Sequence, residues 1–203
     1  MAFIRTVPEA EATGDVKAMY EGGRTSLGHV PNYVLAFSQN PAVWNTCIQM
    51  IGAIRAQMDV RRYELVTVAT ALAIEGSYCA LSHGQILVDE VLGVEQTAAF
   101  ARDYRSSALT PAEKSMVAFV QKIARRARDV TQADIDELRG HAFTDREITD
   151  IAAAASVRCF MVKFLDAVGS EADPSYADMA PELRQLLTVG RDIAPRPAGP
   201  DGR

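Results

Sequence analysis

An all-helical fold is predicted by three features of the sequence. Apolar residues recur at helical spacing from residue 13 to about 168, no alternating apolar and polar run is long enough to argue for a sheet, and helix-start signals punctuate the chain. A Pro-bearing entry at Val7-Pro8 precedes a first helix over 13–26, closed by Gly28 before an extended His29-Val30-Pro31. Asn40-Pro41 supplies a cap and a first-turn proline for a helix running to about Gln57. Asp59 caps the next, over 60–75, where Leu65, Val68, Ala69 and Leu72 form a stripe that Val66 and Ile74 widen until most of the surface is apolar. Gly76 is suited to a left-handed stop and Ser77 to the cap of a further helix through Cys79 and His83 to about Val91, ended by Leu92-Gly93.

Thr110-Pro-Ala-Glu113 and Thr144-Asp-Arg-Glu147 match the capping-box pattern, in which the first residue accepts from an amide and the fourth reaches back. Thr131 opens a shorter helix between them. The last long helix carries Ile148, Ile151, Ala155, Cys159, Val162 and Leu165 as a core stripe and ends near Val168-Gly169. One short helix is expected around 181–187. Residues 1–189 read as a single domain, and the Pro- and Gly-rich 190–203 as a flexible C-terminal tail.

Composition narrows the function classes. The 203 residues are 48% hydrophobic and 23% charged, which is ordinary for a globular chain. A net charge of −5 with no concentrated basic segment argues against nucleic acid as a partner. No apolar run reaches the roughly 18 residues of a membrane span, and the N-terminus lacks the basic and apolar regions of a signal peptide, so a cytoplasmic protein without a membrane partner is expected. Three widely separated cysteines, Cys47, Cys79 and Cys159, suit a reducing compartment better than a disulfide framework. Dispersed histidines and the lack of paired metal-ligand spacings argue for no metal, and the lack of a glycine-rich phosphate loop for no nucleotide cofactor.

Chemistry concentrates in Glu75-Gly-Ser-Tyr-Cys-Ala-Leu-Ser-His-Gly84. Cys79 and His83 stand four apart, which on a helix brings thiol and imidazole to one face where they can share a proton. Cys79 also falls in the first turn, where free amides and the positive end of the helix dipole favour thiolate, the form that reacts with peroxides. Taken alone, that spacing is more often a small buried Cys and a core or surface His with a satisfied ring nitrogen. Cys47 and Cys159 sit in apolar stretches and read as buried helical cysteines, and Trp44, Met50 and Met58 as packing or interface residues.

The chain resembles the alkylhydroperoxidase D and carboxymuconolactone decarboxylase family, in particular its peroxidase-related branch. The resemblance covers most of the sequence. It rests on Ile4-Arg-Thr-Val-Pro-Glu-Ala-Glu-Ala, His29-Val-Pro-Asn before Asn40-Pro41, Arg62-Tyr-Glu-Leu-Val, Phe164-Leu-Asp-Ala-Val-Gly169 and above all Tyr78-Cys-Ala-Leu-Ser-His-Gly84. In that family the site is written as Glu, eleven residues, then Cys-x-x-Cys-x-x-x-His. Glu64, Cys79 and His83 fall on the glutamate, second cysteine and histidine, while Gly76 takes the place of the first cysteine.

The resemblance implies an oligomeric helical bundle and a thiol peroxidase in which Glu64 and His83 relay protons for Cys79, with Tyr78 and Ser82 supporting the site. It implies a small-molecule hydroperoxide as substrate, no cofactor and a homo-oligomer. Because Gly76 prevents the local disulfide, an external thiol reductant is expected, and a cysteine placed at Gly76 would be expected to bridge to Cys79. Two alternatives stay open: a decarboxylase-like lyase using Glu64 and His83 on a carboxylated lactone, and a non-catalytic oligomeric member of the family.

Overall fold

The computed structural model describes residues 2–196, and among them the regular structure is helical, with a lone parallel bridge between Ala172 and Ile193. The principal helices are α1 (Gly14–Leu27), α2 (Asn32–Ala36), α3 (Pro41–Arg55), α4 (Val60–Ala73), α5 (Ser77–Ile86), α6 (Gly93–Asp103), α7 (Pro111–Arg126), α8 (Gln132–Gly140), α9 (Asp145–Ala167) and α10 (Pro181–Leu187). The extended His29-Val30-Pro31 leads directly into α2, and α6 begins at Gly93 without a polar start signal. Beyond α5 the chain continues as one π-helical turn, Leu87–Val91, before Gly93 takes a left-handed φ of 77°.

Helix α4 is the axle of the bundle. Its nine consecutive residues from Tyr63 to Ala71 are all buried, because α5, α7 and α9 pack around it. A helix covered on several sides has no polar face, and its all-round apolar sequence reflects that. The core stripe of α9 is largely as expected, with Ile148, Ile151, Ala155, Val162 and Leu165 buried, but Cys159 is partly exposed. Cys47 is buried, its thiol 3.6 Å from the sulfur of Met161.

The link from α4 to α5 differs in detail from the sequence reading. Glu75 takes the left-handed φ of 58°, while Gly76 has a φ of −89° and serves as the N-cap of α5. Its amide donates to the carbonyl of Ala71 at 2.8 Å, closing α4. Ser77 does not cap α5: its hydroxyl accepts the amide of Gly190 at 2.7 Å. Gly76 is instead required by a close approach, since a Cβ there would stand 2.5 and 2.6 Å from the two methyl carbons of Val162 on α9.

The C-terminal end also holds α5. Leu187 of α10 leaves no room for a Cβ on Gly84, which would come to 2.5 Å from its Cδ1. Residues 190–194 are docked, through the Gly190 amide, the bridge at Ile193 and the Ala194 amide on the carbonyl of Ala172. The start of the expected tail is thus part of the packed body, whereas 197–203 lie outside the described residues.

Capping boxes open α7, α8 and α9. At α9 the Glu147 carboxylate accepts the Thr144 amide at 2.9 Å and Arg62 Nη1 at 2.7 Å, and these bonds hold its pKa down at about 2. A carboxyl with a lowered native pKa stabilises the fold above its unfolded value and loses that contribution as pH falls through the native one. Glu147→Gln is therefore expected to destabilise the protein at pH 7 by about 1 kcal/mol, or about 2–4 °C in Tm. Melting curves of the two proteins should converge as pH is lowered from about 4.5 toward 2.

Candidate functional site

Four of the sequence-predicted residues, Tyr78, Cys79, Ser82 and His83, line a cavity of about 640 Å³. Helix α5 contributes Tyr78, Cys79, Ser82 and His83, α4 contributes Tyr63, α9 contributes Arg158, Met161 and Leu165, and α3 runs along the opposite side from Trp44 to Arg55. Cys79 is buried in the first turn of α5, as the spacing predicts.

Glu64 is fully buried behind this wall, and its Oε2 accepts a hydrogen bond from His83 Nδ1 at 2.6 Å. That bond assigns the ring tautomer: with Nδ1–H donating to a carboxylate, Nε2 carries the lone pair. Burial lowers the His83 pKa to about 4, helped by the positive charge of Arg158 and opposed by the hydrogen bond and charge of Glu64. The imidazole is thus a neutral base at pH 7.

The cation facing the sulfur is Arg158, which the sequence reading missed. Its Nη1 stands 3.4 Å from Cys79 Sγ and its Nη2 3.4 Å from the Tyr63 hydroxyl, while its Nε–H is buried without a partner. Burial works to strip this guanidinium of its charge, but the sulfur and the phenol outweigh burial and raise its pKa above the ordinary arginine value. A signal existed in the sequence: Arg158 falls on the buried stripe of α9, at the helical spacing of Ile151, Ala155 and Val162, where a charge needs a reason.

The supporting residues have clear places. The Tyr78 hydroxyl donates to Asp173 Oδ2 at 2.5 Å and accepts the Tyr33 amide at 3.0 Å, tying α5 to α2 and to the segment after α9. Ser82 lines the cavity. Gly76 is not a cavity residue; it lets α9 approach the start of α5 through Val162. A cysteine at Gly76 would have to displace the Val162 methyls before its sulfur could turn toward Cys79. Trp44 lines the cavity against the rings of Tyr33 and Phe37, at centroid distances of 5.6 and 5.4 Å, so its packing role is also a place on the ligand-facing wall. Cys47 and Cys159 stand outside the lining.

Two outcomes test this geometry. Because unfolded His83 binds a proton that the native ring refuses between about pH 4 and 6.5, its contribution makes stability rise with pH across that window. NMR titration of the His83 ring should place its protonation step near pH 4, and Glu64→Gln should push the step lower still. Gly76→Ala should cost about 1–3 kcal/mol by overpacking, and Val162→Ala in the same chain should recover part of that loss in denaturant melts.

No protein-family model and no curated protein sequence matches the chain. Solved structures do. The AhpD core of a peroxidase-related protein from Ralstonia eutropha JMP134 superposes with a TM-score of 0.79 at 21% identity, covering 94% of this chain and 98% of the other. A peroxidase-related protein from Silicibacter sp. TM1040 gives a TM-score of 0.73 at 24% identity over 87% and 94%. The debrominase Bmp8, solved as a cysteine-to-alanine variant with 2,3,4-tribromopyrrole, gives 0.74 at 17% over 89% and 96%. Near-complete coverage on both sides makes these likenesses of the whole body and not of a shared helical hairpin, and the chain therefore carries the alkylhydroperoxidase AhpD-like fold.

Proposed function

We propose that the protein is a one-cysteine thiol peroxidase of the alkylhydroperoxidase type. The observation that carries this reading is the convergence on Cys79 of a charged guanidinium at 3.4 Å and, on the same cavity wall, a neutral imidazole held by a buried carboxylate. Arg158 gives a thiolate formed at Cys79 a counter-ion, and His83 Nε2 is the base that takes the thiol proton.

The thiolate attacks the terminal oxygen of a hydroperoxide, the O–O bond breaks, sulfur is oxidised to sulfenic acid, and the departing alkoxide takes the proton from His83 as an alcohol. Two equivalents of an external thiol then return Cys79 to the thiol, leaving a disulfide and water. An external donor fits the site because Gly76 supplies no sulfur and Val162 covers its Cα.

The likeness to debrominase Bmp8 favours a second reading on the same sulfur. On that reading the Cys79 thiolate takes bromine from a brominated ring and the ring carbon takes a proton; one external thiol then displaces bromide to form a mixed disulfide, and a second frees Cys79 and leaves an external disulfide. The homo-oligomer implied by the resemblance would cover the exposed apolar side chains Val43, Ile48 and Met50 on α3 and Phe160 on α9.

Intact mass after one equivalent of cumene hydroperoxide, with a sulfenic-acid trap present, should show one adduct on the parent protein and none on Cys79→Ser. An adduct on both proteins, or on neither, would remove the Cys79 peroxidase mechanism. Bromide release from tribromopyrrole with excess thiol, in the absence of peroxide reactivity, would install the second reading in its place.

A further inference from the structure

The cavity beside Cys79 has an unusual charge balance for a protein whose net charge is −5. Its lining contains two arginines, Arg55 and Arg158, and no aspartate or glutamate among the described residues. Two carboxylates bonded to lining residues are already engaged: Glu64 accepts from His83, and Asp173 accepts from Tyr78 and from the Asn32 amide. The tyrosines add no negative charge, since burial pushes Tyr33 up to about 12 and Tyr78 well above its ordinary value.

Both arginines retain donor capacity. A guanidinium has five N–H groups. Arg158 spends its recorded bonds on Cys79 and Tyr63 at 3.4 Å, and its buried Nε–H has no partner. Arg55 stands at the exposed end of α3, 5.2 Å over the ring of Tyr63, with no ion pair among the described residues, and its charge reaches His83. The two cations therefore meet at Tyr63 and His83, at one end of the cavity.

Most of the remaining lining is apolar, with Ser26, Asn45 and Ser82 as the small polar side chains among it. Along α3, Trp44, Ile48, Ile51 and Arg55 recur on one helical face. The eleven helical steps from Trp44 to Arg55 rise about 16 Å. Met19, Val34, Met161 and Leu165 face the same space. A cavity of this size, apolar along its length and cationic at one end, is matched by a molecule with a long apolar body and a terminal negative charge. Arginine favours a carboxylate because its planar fork can bind both oxygens.

From this arrangement we propose that the site takes an amphiphilic carboxylate, its acid group held by Arg55 at the cavity mouth and its apolar body lying along α3, and that its hydroperoxide substrates are those of carboxylic acids. The substrate class rests on the peroxidase reading; the ligand class does not.

Trp44, the single tryptophan, lines the cavity and reports occupancy without catalysis. Titration of the full-length protein with decanoate and with decanol, followed by Trp44 emission and by calorimetry, should show decanoate binding at least tenfold tighter. Arg55→Gln should reduce that preference about tenfold, and raising salt from 0.05 to about 0.5 M should reduce it too, because Arg55 is exposed. Equal binding of acid and alcohol, binding of neither, or an unchanged preference in Arg55→Gln would overturn the proposal. Turnover of linoleic acid hydroperoxide against its methyl ester separates the two claims. Preferential decanoate binding without turnover of either hydroperoxide would leave the ligand class standing and sink the peroxidase. Equal turnover of acid and ester, with no decanoate preference, would do the reverse.

Discussion

Two opposite charges buried in an otherwise apolar helical bundle set the terms for the rest of the structure. Glu64 has no exposed surface and Arg158 is 4% exposed, on helices α4 and α9 that pack directly against each other. A buried charge is tolerated only with partners that replace water, and its loss of hydration costs several kcal/mol otherwise. Neither residue finds that partner in the other. Glu64 is satisfied through His83, Arg158 through Cys79 and Tyr63, and each keeps one buried polar atom without a bond. The two charges thus end on different groups, Glu64 on the imidazole of His83 and Arg158 on the thiol of Cys79. An ion pair made directly between Glu64 and Arg158 would have been a structural element; their separation leaves a base, a counter-ion and a sulfur on one wall.

This division changes the role of the histidine. Four-residue spacing on α5 suggests a Cys–His pair that shares a proton, with the helix dipole favouring thiolate. In the folded protein the cation beside the thiol is Arg158, and its charge is among the reasons that His83 stays neutral. Permanent charge and mobile proton therefore reside on different residues. The guanidinium does not titrate in the working range, so the electrostatic part of the site persists while His83 gains and loses its proton.

Most of the fold was legible in the sequence because its signals are local. The Thr110 and Thr144 boxes, the Asn40-Pro41 start and the Pro181 helix depend on neighbours within a turn, and they form where they are read. Helix α6 was missed because it begins without a polar cap, at Gly93 after the π-turn. The Glu64–His83 bond was legible only through the family resemblance, since it spans nineteen residues and two helices. Arg158 lies 79 residues from Cys79, and no spacing rule joins them. The sequence did contain an arginine on an apolar stripe. Such a residue marks a functional wall as clearly as a cysteine motif does, provided that charge on a core stripe is treated as a question.

Gly76 shows how a missing group can be replaced by packing. At the position where the resembled family carries its first cysteine, the chain has no side chain, and Val162 fills the volume so closely that a single added carbon would overlap its methyls. An empty position could accept a sulfur with little adjustment, whereas one filled by an α9 side chain couples any such change to the helix that also carries Arg158. Four residues separate Val162 from Arg158, one turn on the same face. Displacing Val162 to make room at the start of α5 would therefore disturb the guanidinium that faces Cys79. Gly76 and Arg158 are thus coupled through one close contact between α5 and α9, and the chemistry proposed for this site is one in which Cys79 reacts alone and is restored from outside.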